Sequence, residues 1–248
     1  MEEKYIALLD SGVGGLALLY ELIKIMPHEK YIYLGDNKNA PYGSRTQSDL
    51  LELSIKNTEE LMRYGIKALV LACNTLSATV LHKLEYYARV KTFGVYPPAE
   101  SCVMRGERTL LCATPLTAGK YTGIKGLDVL SLNELAKDVE RKKFELSAID
   151  LERHLSRGNL IPGGSVPARY DTVILGCTHY EFIKSKFYDH FRPRRIISGC
   201  ALTARMVKDF CSIGNKAKKV SKNQLIFAGE CAYENRLFFE TVVKGSFM

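Results

Sequence analysis

Two cysteines have positions suited to acid/base chemistry, because each ends an apolar run and is followed by small polar residues. Cys73 lies in L71-A-C-N-T-L-S-A78, and Cys177 lies in L175-G-C-T-H-Y180. Two thiols on opposite faces of a small molecule can act as a matched acid and base, one removing a proton and the other donating one. The sequence therefore suggests one site that is built twice.

Each cysteine has a candidate polar partner. Asp10 ends another apolar run and is expected near Cys73 from an adjacent strand, whereas His179 follows Cys177 by two residues. Each cysteine also precedes a predicted helix, whose positive end favours a thiolate. The candidate set comprises Asp10, Ser11, Cys73, Asn74, Thr75, Cys177, Thr178 and His179. Its hydroxyl and amide groups, with backbone N–H groups at helix ends, suit a small carboxylate ligand.

The segment D10-S-G-V-G-G15 permits a different interpretation. Gly12, Gly14 and Ala17 satisfy the G-x-G-x-x-A fingerprint of dinucleotide-binding proteins, and Asp36 lies near the end of the next predicted strand. Asp10 opposes this interpretation, because its negative charge at the mouth of the strand would face an incoming pyrophosphate.

Three other interpretations explain less. A Cys/His hydrolase needs one nucleophilic cysteine and leaves the second unexplained. A metal site needs further ligands, and the remaining histidines show no ligand spacing: His28, His82, His154 and His190. Burial as core filler suits any single cysteine, but not two with polar neighbours at matched strand ends.

Short apolar runs alternate with amphipathic stretches along the chain, which predicts an α/β protein with a mostly parallel sheet. The predicted strands are Tyr5–Leu9, Tyr31–Leu34, Ile66–Ala72, Thr92–Val95, Thr109–Ala113, Leu127–Leu130, Thr172–Leu175, Arg195–Ile197 and Leu225–Phe227. The predicted helices lie around 14–26, 46–64, 76–89, 133–143, 147–157, 180–190, 202–213 and 232–243. Residues 158–168 are rich in Gly and Pro and predict a loop.

A faint internal repeat appears at an offset of about a hundred residues. It aligns the strand before Ser11 with the strand before Thr114, and Cys73 with Cys177. Two similar halves follow, with a break near Val95–Pro98, and both cysteines fall at equivalent strand ends. Ligands of open α/β sheets bind at such ends.

Composition narrows the class of protein. The chain has 248 residues, a formal net charge of +8 and seven cysteines without a C-x-x-C pair, which disfavours a disulfide framework or a zinc ribbon. The basic residues are dispersed without interleaved aromatic residues, so nucleic-acid binding is not expected. No apolar run approaches the ~20 residues of a membrane span, and the N-terminus lacks a targeting pattern, so the cytoplasm is the expected location.

Five segments together resemble the glutamate racemase family, within the wider cofactor-independent aspartate/glutamate racemases. They are D10-S-G-V-G-G15, Y33-L-G-D-N-K-N-A-P-Y-G43, A72-C-N-T-L-S-A78, A113-T-P-L-T117 and L175-G-C-T-H-Y180. They occur in the family's order and spacing, and weaker similarity extends from Tyr5 to about Lys244.

The resemblance implies two pseudo-symmetric, open α/β domains, 1–95 plus about 205–248 and 96–204, with the active site in the cleft between them. It implies interconversion of L- and D-glutamate without a cofactor or metal, supplying D-glutamate for peptidoglycan; a homodimer is compatible with it. By motif, Cys73 and Cys177 transfer the proton, Asp10 assists the first and His179 the second. Implied substrate-binding residues are Ser11, Pro41, Tyr42, Gly43, Asn74, Thr75, Thr114, Thr117 and Thr178.

Two departures from the family pattern bear on the second cysteine. The family usually carries a segment like A-C-P-x-F-V-P-L-V-E, whose glutamate lies near the second thiol; residues 131–160 contain no such segment, and Glu145 and Glu152 are poor substitutes. The late I-D-S-G motif is I196-I-S-G199 here. We therefore expect different charge complementarity at Cys177. The alternatives are another small acidic substrate, aspartate first, or a non-catalytic relative that binds a polyanion through its basic surface.

Overall fold

The structure is a computed structural model that describes residues 4–164, 169–212 and 224–244. These residues form ten strands in chain order: β1 Tyr5–Asp10, β2 Lys30–Gly35, β3 Ile66–Leu71, β4 Lys91–Gly94, β5 Thr109–Ala113, β6 Leu127–Ser131, β7 Asn159–Ile161, β8 Thr172–Gly176, β9 Arg195–Ser198 and β10 Gln224–Ala228. They assemble into two five-stranded sheets. This confirms the predicted α/β class and its two similar halves.

The two sheets share the same arrangement of four parallel strands and differ at the edge strands β10 and β7. The first has the order β10-β2-β1-β3-β4 and the second β7-β6-β5-β8-β9. Every recorded pairing is parallel except that of β7 with β6. The central strands β1 and β5 are equivalent, as are β3 and β8, so Cys73 and Cys177 follow equivalent strands. The internal repeat is therefore present in the topology.

The helices connect the strands and cover both faces of each sheet. They are α1 Leu16–Ile25, α2 Gln47–Met62, α3 Asn74–Ala88, α4 Ala99–Met104, α5 Pro115–Ala118, α6 Leu135–Arg141, α7 Leu151–Ser156, α8 Lys184–Phe191, α9 Cys200–Ser212 and α10 Ala232–Phe238. No helix of the described ranges is long and apolar enough to cross a membrane.

Alternation along β1 shows why both faces need cover. Ile6 and Leu8 pack toward α1 and α9, whereas Ala7 and Leu9 pack toward α2 and α3. All four are fully buried. A parallel strand buried on both faces is apolar at every position, which is the pattern that the sequence shows. Each fully buried Leu or Ile contributes roughly 1.5–3 kcal/mol to the stability of the fold that positions the strand ends.

The C-terminal part of the chain returns to the first sheet. Helix α9 packs on α1 through Cys200, Ala204 and Val207, and β10 pairs with β2. This pairing supports assigning a C-terminal segment to the first domain. The boundaries at 95/96 and about 204/205 stay a prediction.

The structure differs from the predicted elements in the second half. The predicted loop 158–168 contains β7, where Leu160 pairs with Leu130, because a short edge strand gives little period-2 signal; residues 165–168 lie outside the described residues. Helices α4 and α5 were not predicted, since six and four residues are too few for a helical period. Residues 178–183, where a regular helix was expected to begin, form a 3₁₀-helix before α8.

An ion pair at the end of the second sheet away from the cysteines gives a testable stability prediction. Glu107 accepts hydrogen bonds from Arg195, at 2.6 Å, from Arg105, at 2.8 Å, and from the Thr172 hydroxyl. These bonds, those from Arg195 first, lower the pKa of Glu107 from 4.5 to about 2. The stabilisation is therefore complete above pH ~4.5 and is lost as the pH falls toward ~2.

Glu107→Gln is expected to lower the free energy of unfolding at pH 7 by roughly 1–2 kcal/mol, because a neutral amide binds the guanidinium groups less strongly. Urea unfolding of both proteins at pH 7 and at pH 3.5 measures this. The difference should shrink at pH 3.5, and a constant difference would contradict the account. Glu134→Gln, at an exposed ion pair of 3.5 Å, is the control and should change little.

Candidate active site

The loops that follow equivalent strands of the two sheets meet at one buried interface, which we call the cleft. Thr75 of the first half and Thr114 of the second are hydrogen-bonded hydroxyl to hydroxyl at 3.1 Å. Gly14, in the loop after β1, lies so close to the second half that a Cβ there would overlap the His179 ring and the Thr178 hydroxyl. The closeness of these contacts leaves Gly14 no room for a side chain.

Cys73 lies at the N-terminus of α3 and is 7% exposed. Its sulfur is 3.7 Å from the Ser11 hydroxyl. The helix end acts in the expected direction, because the Leu76 N–H favours the thiolate, but burial and then the charge of Asp10 outweigh it and raise the pKa of Cys73 to about 12. The effect of the helix end is therefore in the predicted direction, but it is smaller than the effect of burial.

Asp10 is fully buried beneath the loop that follows β1. Its Oδ2 accepts hydrogen bonds from Gly12 N at 3.1 Å, from Gly15 N at 2.9 Å and from the Tyr33 hydroxyl at 3.2 Å. Burial raises the pKa of Asp10, although the positive charge of His179 opposes this. Oδ1 has no hydrogen-bond partner among the described residues. Asp10 therefore retains one free acceptor and acts on Cys73 through its charge.

The same loop argues against dinucleotide binding. A phosphate would need the N–H groups at the start of α1. Asp10 occupies those of Gly12 and Gly15, and the carboxylate of Glu140 accepts from Val13 N at 3.0 Å. Carboxylates already hold the groups that would cradle an anion.

Cys177 lies at the end of β8 and is 8% exposed. Its sulfur is 3.8 Å from His179 Nδ1, so the sequence neighbour is also the spatial partner. Burial lowers the pKa of His179, but hydrogen bonds to Cys177 and Glu140 outweigh it and raise that pKa well above its usual value. A protonated imidazole therefore stands beside the second thiol, where it can give and recover a proton.

Glu140 is the functional residue that the sequence did not reveal. It lies on α6 and accepts a hydrogen bond from His179 Nε2 at 2.7 Å. Burial opposes its ionisation, but the bond from His179 and the other donors outweigh it and lower the pKa of Glu140. The expectation of different charge complementarity at Cys177 is wrong, because Glu140 supplies the carboxylate; Glu145 and Glu152, named as poor substitutes, are both exposed.

The position of Glu140 explains why no sequence motif predicted it as a site residue. The acid sits on a short charged helix, L135-A-K-D-V-E-R141, rather than in an apolar segment. One signal was available. Strand β6 is equivalent to β2, so the segment after it should also reach the cleft, as Asn37 after β2 does.

The other predicted substrate-binding residues fall into two groups. Most lie buried at the cleft: Ser11, Gly43, Asn74, Thr75, Thr114, Thr117 and Thr178. Thr178 Oγ1 has no hydrogen-bond partner among the described residues, so it is available to a ligand. Pro41 is half-buried, and the Tyr42 hydroxyl donates to Asp36 Oδ2 at 2.5 Å. That bond engages the Tyr42 hydroxyl in holding the loop.

Known proteins resemble this chain in sequence and in fold. A glutamate racemase of Clostridium botulinum is 31% identical over 218 residues, 84% of each chain. Among solved structures, a Francisella tularensis glutamate racemase in complex with D-glutamate covers 98% of this chain and 96% of its own (TM-score 0.76), but at 20% identity it shows the fold alone. An Escherichia coli glutamate racemase in complex with L-glutamate and the activator UDP-MurNAc-Ala is 25% identical, covering 94% and 92% (TM-score 0.73).

No protein-family model matches the chain. The fold is an α/β protein with two mostly parallel sheets, and a cysteine follows equivalent strands of each sheet. With the identity over most of its length to a curated relative, the chain belongs to the glutamate racemase family.

Proposed function

We propose that the protein is a glutamate racemase that interconverts L- and D-glutamate by a cofactor-independent, two-base proton transfer between Cys73 and Cys177. The observation that carries the proposal is the placement of the two thiols. They follow equivalent strands of two sheets, are almost completely buried, and interact electrostatically, because Cys177 contributes to the raised pKa of Cys73.

The two thiols differ in their surroundings, and this difference supports a mechanism that uses both. Burial raises the pKa of Cys73 to about 12, so its thiol carries a proton that it can donate. Cys177 contacts an imidazole that is itself paired with Glu140. In one direction Cys177 acts as a thiolate stabilised by the protonated His179 and removes the α-proton from one face, while the Cys73 thiol donates its proton to the other. The reverse direction exchanges these roles, which is what a racemase requires.

Removal of an unactivated α-proton requires stabilisation of the negative charge that develops on the substrate. A closed, water-excluded site strengthens every electrostatic contact within it. We assign the free Asp10 Oδ1 and Thr178 Oγ1 to the substrate ammonium. The cleft residues assigned to the two carboxylates and the substrate's orientation are Ser11, Pro41, Tyr42, Gly43, Asn74, Thr75, Thr114 and Thr117.

Glutamate is favoured over aspartate because the curated relatives carry that name. The alternative of a non-catalytic relative that binds a polyanion depended on the shortened second half. Glu140 beside His179 removes that reason. We further propose that the product supplies peptidoglycan synthesis in the cytoplasm, and that a homodimer is compatible with this role.

Proton NMR in D₂O tests the function directly. The purified, reduced protein is incubated without added cofactor, separately with L-glutamate, D-glutamate, L-aspartate and D-aspartate. We expect loss of the α-proton signal from both glutamate enantiomers, with the opposite enantiomer accumulating. If only aspartate lost its α-proton signal, aspartate rather than glutamate would be the substrate. If none of the four amino acids lost its α-proton signal in a folded sample, the assignment as a racemase of these acids would be wrong.

A further inference from the structure

The carboxylate of Glu140 is shared between the two halves of the molecule. From its own half it accepts a hydrogen bond from His179 Nε2 at 2.7 Å and forms an ion pair with Lys143 Nζ at 3.7 Å. From the other half it receives Val13 N at 3.0 Å and Asn37 Nδ2 at 2.6 Å. A Cβ on Gly12 would overlap this carboxylate, so the two halves are in direct contact here.

Asn37 supplies the side-chain donor from the first half. Glu140 determines how its amide is turned, because the reversed amide would bring two oxygen atoms together. The Asn37 Oδ1 atom is buried without a hydrogen-bond partner in the described part of the chain, so no second contact at that atom competes with this orientation. A hydrogen bond to a charged acceptor is roughly twice as strong as one between neutral groups.

We propose that Asn37 is a positioning residue for the second thiol: by donating to Glu140 across the closed cleft, it holds this carboxylate ionised and oriented on His179. The inference rests on the proposed function and deepens it. Because Asn37 and Glu140 belong to different halves, the bond exists only while those halves are in contact. The proton-transfer pair at Cys177 is therefore completed by closure of the cleft.

The charges around Glu140 set the direction of the pH effect. The charged and titratable groups that face it are His179, Lys143, Asp10 and Tyr33, with Glu234 beyond Lys143 at 2.8 Å. Two of these, His179 and Lys143, favour the ionised carboxylate. Removing the Asn37 donor makes ionisation of Glu140 less favourable, so the acid limb of the activity profile should move to higher pH.

The variants Asn37→Asp and Asn37→Ala distinguish a role of Asn37 as a hydrogen-bond donor from a role in packing alone. Aspartate has the shape of asparagine but cannot donate when ionised, and it places a second negative charge beside Glu140. We expect kcat/KM to fall about tenfold in Asn37→Ala and further in Asn37→Asp, with the acid limb raised by about one pH unit or more. L- and D-glutamate are equally stable in water, so kcat/KM must fall equally in both directions.

Lys38→Ala is the matched control. Lys38 is the next residue of the same turn, but its side chain is 70% exposed and pairs with Glu230 at 3.0 Å, away from Glu140. Its replacement should leave kcat/KM and the pH profile unchanged. If Asn37→Asp retained wild-type activity and an unmoved acid limb, or if Lys38→Ala caused the same change, the inference would be wrong.

A measurement without substrate keeps this test separate from the proposed activity. The ring signals of His179 can be followed by NMR as the pH is lowered, in the wild-type protein and in Asn37→Asp. The acid-side titration of the His179–Glu140 pair should move to higher pH in the variant. If glutamate is not turned over but this shift is seen, the proposed function fails while the role of Asn37 stands; an unchanged titration would overturn that role.

Discussion

Replacing Cys177 or Cys73 with alanine is expected to reduce racemisation of glutamate at least ~10³-fold. Each variant keeps one thiol and so lacks either the base or the acid for inversion. The remaining thiol can still remove a proton from its own face and return a deuteron to that face in D₂O. We therefore expect slow α-proton exchange without inversion, confined to one enantiomer and opposite in the two variants.

Chiral chromatography and proton NMR on the same D₂O incubations measure inversion and exchange separately. Cys231→Ala is the matched control, because Cys231 is only half-buried and precedes α10. It should retain wild-type racemisation. The two-base assignment would be wrong if Cys177→Ala racemised glutamate at a near wild-type rate.

Glu140→Gln should have the next largest effect, a fall in kcat of about 10²- to 10³-fold. Glutamine has the same shape but no charge, so the imidazolium of His179 loses one of the two partners that raise its pKa, and only Cys177 remains. His179 would then lose its proton at lower pH, and the basic limb of the activity profile would move down. Its amide also turns a donor toward atoms that are themselves donors, either Asn37 Nδ2 or His179 Nε2.

The measurement is the pH dependence of kcat and kcat/KM for Glu140→Gln. Glu145→Gln is the control, since Glu145 lies five residues on and is exposed. Wild-type activity in Glu140→Gln would show that the carboxylate plays no part in proton transfer. A loss of equal size in Glu145→Gln would point instead to general damage in this segment.

Much of the fold was predictable because buried parallel strands leave a strong signal. All nine predicted strands are present, with ends that differ by one residue or less, since each is an apolar run bounded by polar residues. Strand β7 was missed because it lies at the sheet edge, where Asn159 and Leu160 remain exposed and no burial pattern is imposed. Single-turn helices carry no period that a sequence could display.

The site was only partly predictable, for a physical reason. Cys73, Cys177 and His179 lie at strand ends, where chain neighbours are also spatial neighbours. Glu140 reaches His179 from another element, 39 residues earlier, and such a contact has no local signature. The raised pKa of Cys73 was not predictable, because the helix-end effect is visible in a sequence whereas the cost of burial depends on the packed structure.

The pairing of β10 with β2 has a consequence for folding of the chain during its synthesis on the ribosome. The second sheet draws all five of its strands from 109–198, a continuous stretch, whereas the first sheet gains its edge strand from residues 224–228. Contacts between such distant segments form late, because a long loop must close first. The half that carries Cys177 should therefore fold before the half that carries Cys73, which still lacks its last strand. In an incomplete chain, β2 would be an exposed edge strand.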